Sequence, residues 1–460
     1  MSLLRGWMQG SLGRYAKGAA KSTKPPAPGV ALTPAASLRH RHAHMALPSK
    51  AAMRPVEAGR RRWHPGFLFT PRLALPLTLA AGLLLPSNAA WSTFFYILGL
   101  PTIGWQLWRG ARPDAANRPL LAMLALWAWS SLTIAWDRNI SGQGDGHGYW
   151  LLNALCTLAF LLCFDFATRQ DASARRRAVS AFILCAVPTA LLSIALFAVQ
   201  DHWTGRLGGW GALKTPVWGA SVIVICVLLT LGRVAEAGPR RWLYATALVP
   251  MLVYLPLNGS RTALLSLAMG VMMLGLSSWR AFRALVIAGL CALAALAGVV
   301  LMRPVWVKAV IGNFLARGTD CHITIWRTAW GLFLAQPVIG YGPSARLPIL
   351  PHGACPAYPS PHNLYLSLLV YSGLVGFALY GLCQILLCRH VLRRQRGFQR
   401  ALALALLAVP LVSGLSDLTQ VIKGPSPLWY IIWLPMLLAL RAGPESPGTS
   451  PASAASPPRG

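Results

Sequence analysis

The chain has 460 residues, 55% of them hydrophobic and 12% charged, with a formal net charge of +31. Soluble domains carry about 25% charged residues, and apolar runs of bilayer-spanning length recur here from residue 72 to 440, so a soluble globular protein is excluded. A β-barrel is excluded too, because the runs are neither short nor alternating; the expected class is an all-α polytopic membrane protein. A high positive charge can signal nucleic acid, but in such a chain basic residues mark cytoplasmic loops, and the expected surroundings are membrane lipids with no nucleic acid.

In chain order, residues 1–66 are rich in Arg, Lys, Pro and Ala without an apolar core, and read as a disordered basic tail. No apolar segment there precedes a small-residue cleavage site, so no signal peptide is expected. The cluster RHRHAH at 39–44 reads either as a metal-binding tract or as tail composition, and Met45 and Met53 leave room for a later start.

About twelve spans follow within 67–441: 72–86, 90–108, 119–136, 149–167, 178–200, 215–232, 241–257, 261–279, 282–301, 362–388, 401–417 and 427–441. Residues 442–460 are a low-complexity Pro/Ser tail. Arginines gather in alternate loops: Arg109, Arg112 and Arg118; Arg169 and Arg175 to Arg177; Arg233, Arg240 and Arg241; Arg280 and Arg283; and Arg389 to Arg400. The basic tail shares their side. The positive-inside rule then makes both termini cytoplasmic and sets the long 302–361 loop outside.

Within that loop, Ile323, Trp326, Trp330, Phe333 and Leu334 recur at helical spacing. Residues 322–335 read as an amphipathic helix at the membrane interface, with Thr324 and Arg327 off the apolar stripe. Seven of the nine cysteines lie in or beside apolar spans. The other two, Cys321 and Cys355, share the exported, oxidising loop, and a disulfide between them is expected.

The chemistry is constrained by what is missing. There is no Asp-x-Asp, HExxH, GxSxG or P-loop pattern. The outside carboxylates, Asp137, Asp145, Asp201, Asp320 and Asp417, form no evident pair of the kind glycosidases use. No metal or cofactor is expected. What the outer side offers is cations: Arg206 and Lys214 in DHWTGRLGGWGALK, Arg261 in NGSRT, Arg327 in IWRTAW, and His362 in PHNLYL. One arginine at a helix mouth reads more readily as a side chain reaching lipid head groups. Several converging with a histidine suit a pyrophosphate: guanidinium forks bind it and stabilise it as it leaves, and a neutral imidazole takes a hydroxyl proton. The substrate class is then a lipid-linked pyrophosphate donor.

Four motifs in order carry a family resemblance. RLGGWGALKTPVWGA (206–220), NGSRTALLSLAMG (258–270), WRTAWGLFLAQPVIGYGP (326–343) and PHNLYLSLLVYSGLVGFALY (361–380) resemble the core of the O-antigen ligase and O-antigen polymerase superfamily. The resemblance implies a GT-C-like, inverting, metal-independent glycosyltransferase of the bacterial inner membrane, with a periplasmic site. Its donor would be a glycan on undecaprenyl pyrophosphate, and its acceptor a sugar hydroxyl of lipid A-core or another glycan. Carried over by motif, Arg261 and Arg327 would hold the pyrophosphate. His362 would be the base or would position the acceptor. Arg206 and Lys214 would add phosphate contacts, and Ser260, Asn363 and Tyr365 would shape the mouth. Two departures stand out: Ser360 replaces an earlier histidine, and Tyr371-Ser372 replaces an acid that many members carry before the glycine.

One long outside loop leans toward ligase over polymerase, with a protein O-oligosaccharyltransferase third. A multi-span transporter is the alternative of another class; it predicts broken helices at mid-membrane and inverted repeats.

Overall fold

The structure is a computed structural model, and it describes residues 69–138, 145–169, 171–236, 241–275, 277, 279–302, 320–345 and 360–441. The tail 1–66 with its His cluster, the tail 442–460, most of the long loop and Cys355 lie outside the described residues.

Every expected span meets a helix. They are α1 (Pro71–Leu84), α2 (Asn88–Trp108), α3 (Arg118–Leu132, prolonged by the 3-10 turn Thr133–Trp136), α4 (His147–Arg169), α5 (Ala172–Val199), α6 (Pro216–Glu236), α7 (Arg241–Asn258), α8 (Arg261–Gly275) and α9 (Trp279–Met302). Then come α10 (Asp320–Ala335) in the long loop, α11 (Leu364–Arg394), α12 (Gly397–Ser413) and a last helix, α13, that opens with a π turn at Trp429–Trp433 and runs on as Leu434–Arg441. No strand occurs among the described residues. Five stretches are long and apolar enough to cross a bilayer: Arg118–Trp136, His147–Arg169, Ser173–Val199, Pro216–Glu236 and Leu364–Arg394. Shorter apolar helices occupy five more expected spans, and α2 and α7 carry internal prolines at 101, 250 and 256. The fold is an all-α membrane protein.

Short polar residues start the helices where their side chains satisfy free amides. Ser87 accepts from Ala90 N at 3.1 Å, Asn117 from Leu120 N at 3.2 Å, and Asn363 from Leu366 N at 3.1 Å. α6 is apolar all round and buried nearly all round, as a helix enclosed by others must be. α13 is buried along its whole length from Trp429 to Leu440. Its first turn seals the core: Trp429 stacks on Phe160 at 4.6 Å, Tyr430 stacks on Trp91 at 4.9 Å, and the Tyr430 hydroxyl donates to Leu79 O at 2.9 Å.

Several boundaries differ from the sequence reading, and two bear on function. The span read as 401–417 ends at Ser413, after Pro410, so Ser416 and Asp417 stand outside the helix. The span read as 362–388 starts at Leu364 and runs to Arg394. Arg389, Arg393 and Arg394 therefore ride on helix turns, not in a loop.

α11 is also broken. Gly373 has φ +64° and ψ −169°, which no helix tolerates. The segment Pro337–Gly342 fills the gap. Tyr341 N donates to Val370 O at 2.8 Å, Gly342 N to Tyr371 O at 3.0 Å, and Leu374 N to Pro337 O at 2.8 Å. Trp129 Nε1 donates to Ser372 O at 2.9 Å. The backbone groups freed by the break are thus satisfied inside the protein, which is the condition for irregular backbone at membrane depth. A broken span is one of the features the transporter reading requires, and here the segment 337–342 seals it.

Candidate active site

The site is built where four helix ends meet. α7 ends at the buried Asn258, whose Nδ2 donates to Leu207 O at 2.9 Å and whose carbonyl accepts from Arg206 Nε at 3.0 Å. That pairing pins the half-buried Arg206 against the α7–α8 turn. Gly259, at φ +65°, reverses the chain there. Ser260, 3% exposed, then caps α8 by accepting from Ala263 N at 3.4 Å, and Arg261 opens α8 with its side chain exposed. Thr262 faces inward and its hydroxyl bonds that of Ser416. One turn along α8, Ser266 Oγ lies 3.2 Å from Ser413 Oγ, which lies 3.0 Å from Ser221 Oγ of α6. Hydroxyl pairs of this kind hold membrane helices together where apolar contact cannot distinguish neighbour from lipid.

Asp417 follows Ser416. Its carboxylate is hydrogen-bonded to His362 Nδ1, and its carbonyl accepts from Trp218 Nε1 at 2.8 Å. The His362 side chain is 24% exposed and that of Asp417 13%, so the pair is mostly sheltered but open on one side. His362 has φ +46°, the left-handed region. That conformation is uncommon for a side-chain-bearing residue and costs about 1–3 kcal/mol. The next three residues hold it in place. Asn363 caps α11 and its Nδ2 donates to Leu415 O at 3.0 Å, Leu364 N donates to Gly414 O at 2.7 Å, and the Tyr365 hydroxyl donates to Leu411 O at 2.7 Å. Asn363 and Tyr365 thus tie the mouth of α11 to the end of α12.

Arg206 is tied to the α7–α8 turn through Asn258, and the Thr262–Ser416 bond sets the start of α8, which carries Ser260 and Arg261, beside the Asp417–His362 pair. Lys214 stands apart from these residues; it comes after the short turn Gly211–Leu213 and is exposed. Asp417 is the residue whose role sequence reasoning misses. In the sequence it is one of several scattered carboxylates, and the structure pairs it with His362. The single signal is its position between the last two spans, on the same side as His362.

α10 packs on α11 through Ile325 and Ala329, which meet Val370 and Tyr371, with Cys321 and Leu332 flanking. The apolar stripe read as lying at the membrane interface is left largely uncovered by the protein: Ile323, Trp330 and Leu334 are 50%, 48% and 60% exposed, and Trp326 and Phe333 are half-buried. At 100° per residue Arg327 lies at the edge of that exposed stripe, just past Leu334, and its side chain is exposed. Cys321 is disulfide-bonded.

The comparisons fall on the same residues. A family model described as O-antigen ligase matches residues 246–381, a stretch that holds Arg261, Arg327, His362 and Gly373 but not Arg206 or Asp417. An O-antigen ligase of Pseudomonas aeruginosa is 27% identical over 359 residues, covering 75% of this chain and 83% of that protein. The likeness read from the four motifs therefore holds: the chain is similar to the O-antigen ligase superfamily, with its family segment at 246–381.

Proposed function

We propose that the chain is a glycosyltransferase that moves a glycan from undecaprenyl pyrophosphate to a sugar hydroxyl of lipid A-core. In this reading the protein has GT-C-like architecture and about twelve spans, sits in the inner membrane with both termini cytoplasmic, and works at the periplasmic face. The observation that carries it is the His362–Asp417 pair set beside the arginine-bearing start of α8.

The Asp417 carboxylate accepts the Nδ1–H of a neutral His362, which selects the tautomer that takes a proton at Nε2. The acceptor hydroxyl gives its proton to Nε2 as its oxygen attacks the anomeric carbon from the face opposite the pyrophosphate. The bond from that carbon to the pyrophosphate oxygen breaks, and the pyrophosphate leaves on its lipid with the electron pair. One displacement inverts the anomeric centre. Arg261 and Arg206 hold the developing charge from the α7–α8 turn, and Lys214 adds to it. Fixed guanidinium groups supply what a metal ion would otherwise supply, so the reaction needs none. Arg327 reaches the pyrophosphate if the donor lipid lies along the exposed face of α10. Ser260, Asn363 and Tyr365 hold the helix starts that frame the mouth.

The ligase reading is preferred to polymerase because the matched family and the Pseudomonas aeruginosa relative both carry the ligase description. Deleting the gene and running lipopolysaccharide on a gel tests it. A missing ligase leaves core without O-chain while lipid-linked polymer accumulates. Core bearing a single repeat would instead mean a polymerase, and an unchanged ladder with a lost solute uptake would overturn the reading.

A further inference from the structure

A cavity of about 780 Å³ opens at the other end of the molecule. Its cationic lining comes from Arg118 at the start of α3, Arg169 at the end of α4, Arg389, Arg393 and Arg394 on the last turns of α11, and Arg441 at the end of α13. α11 begins two residues after His362, and its 31 residues rise about 46 Å. The cavity is therefore remote from the candidate active site and is not part of it.

Its charges are unevenly matched. Asp165, wholly buried, is bonded to Arg441 and lies 4.0 Å from Arg169. Arg169 also donates to Arg112 O at 2.9 Å. The floor is thus compensated. Arg118, Arg389, Arg393 and Arg394 make no side-chain hydrogen bond or salt bridge among the described residues, and Asp114 is the carboxylate in the lining. Four guanidinium groups around one hollow repel one another unless an anion sits between them.

The volume is that of a ligand pocket, and guanidinium forks match phosphate oxygens. The remaining lining includes Pro119, Leu386 and Leu440, from three different helices. That apolar side, at the ends of membrane helices, suits the glycerol and upper acyl chains of a lipid better than a soluble anion. We propose that this cavity binds the phosphate head group of an anionic phospholipid drawn from the leaflet at the arginine-rich end of the bundle.

The test uses the purified full chain in detergent, with thermal melting and native mass spectrometry read against added phosphatidylglycerol, phosphatidylcholine and inorganic phosphate. Phosphatidylglycerol should stay bound and raise Tm in a dose-dependent way, while the other two should not. The triple variant Arg389→Gln/Arg393→Gln/Arg394→Gln should bind phosphatidylglycerol about a hundredfold more weakly. Leu386→Trp, which crowds the apolar side of the cavity and keeps every charge, should weaken the response as well, and it decides the matter if the triple variant does not fold. An equal response to inorganic phosphate would make this a soluble-anion site and overturn the lipid proposal. An equal response to phosphatidylcholine, no response at all, or wild-type binding by Leu386→Trp or by a folded triple variant would overturn it outright.

Discussion

His362 Nδ1 is hydrogen-bonded to the carboxylate of Asp417, although the two residues are 55 apart in the chain. In the proposed mechanism the pair selects the imidazole tautomer that takes the acceptor's proton at Nε2. Asp417→Asn keeps the shape but offers an amide in place of the carboxylate, so glycan transfer by the purified protein should fall by about 10²–10⁴-fold while insertion and Tm are retained. His362→Gln should fall at least as far, and the double variant no further, because the two act as one unit. Full transfer by Asp417→Asn would show that the carboxylate does not serve the imidazole.

The clasp at the break of α11 predicts a stability effect. A Cβ at Gly373 would sit 2.1 Å from Val338 O, and one at Gly340 would sit 2.6 Å from the amide of Gly373. Both residues are also at positive φ, +64° and +69°. Gly373→Ala and Gly340→Ala should each destabilise by about 2–4 kcal/mol, from strain together with displaced backbone. Denaturant or thermal unfolding in detergent reads this, and an unchanged Tm in both variants would mean that the loop does not lock the break.

The helices are legible in the sequence because each apolar run is long and bounded by polar or basic residues. The site is legible only in pieces. Arg261 and His362 stand out by their motifs, but the Asp417 partnership depends on α12 stopping at Ser413, and nothing in the apolar run to 417 announces that stop beyond Pro410 and Gly414. The break at Gly373 is hidden for a similar reason. A glycine in an apolar helix costs about 1 kcal/mol and reads as harmless, whereas the donors and acceptors that stabilise the break come from residues 337–342 and Trp129. α10 divides its stripe. Ile323, Trp330 and Leu334 stay exposed, as an interfacial helix allows, while Trp326 joins Cys321, Ile325, Ala329 and Leu332 on the face toward α11. Beside a membrane, hydrophobicity does not separate a protein-facing from a lipid-facing stripe, and small residues mark close packing better.

The position of Arg327 beside Ile323, Trp330 and Leu334 bears on the donor. If the lipid pyrophosphate lies along this face, Arg327→Ala removes a charge-assisted contact of about 1.5–3 kcal/mol, or roughly 10- to 150-fold in kcat/KM. Trp330→Ala should raise KM for the lipid-linked donor and leave kcat alone, since it removes apolar contact that does not change during the reaction. Arg261→Ala should instead lower kcat, because the charge it meets grows as the pyrophosphate leaves. Normal transfer by both Arg261→Ala and Arg327→Ala would defeat the pyrophosphate proposal.

Cysteine chemistry gives the last prediction. Cys156, Cys163, Cys185, Cys226, Cys291, Cys383 and Cys388 are free thiols, whereas Cys321 is disulfide-bonded. The proposed partner is Cys355, the other cysteine of the long loop. Alkylation of the unfolded, unreduced chain should therefore label seven of the nine cysteines, and prior reduction should expose all nine. The bond would tie the first turn of α10 to the stretch just before His362, limiting how far the two can separate when substrate enters. Cys321→Ser and Cys355→Ser should then give the same loss of Tm, and the double mutant no additional loss. Nine labelled cysteines without reduction, or additive losses in the double mutant, would rule out the pairing.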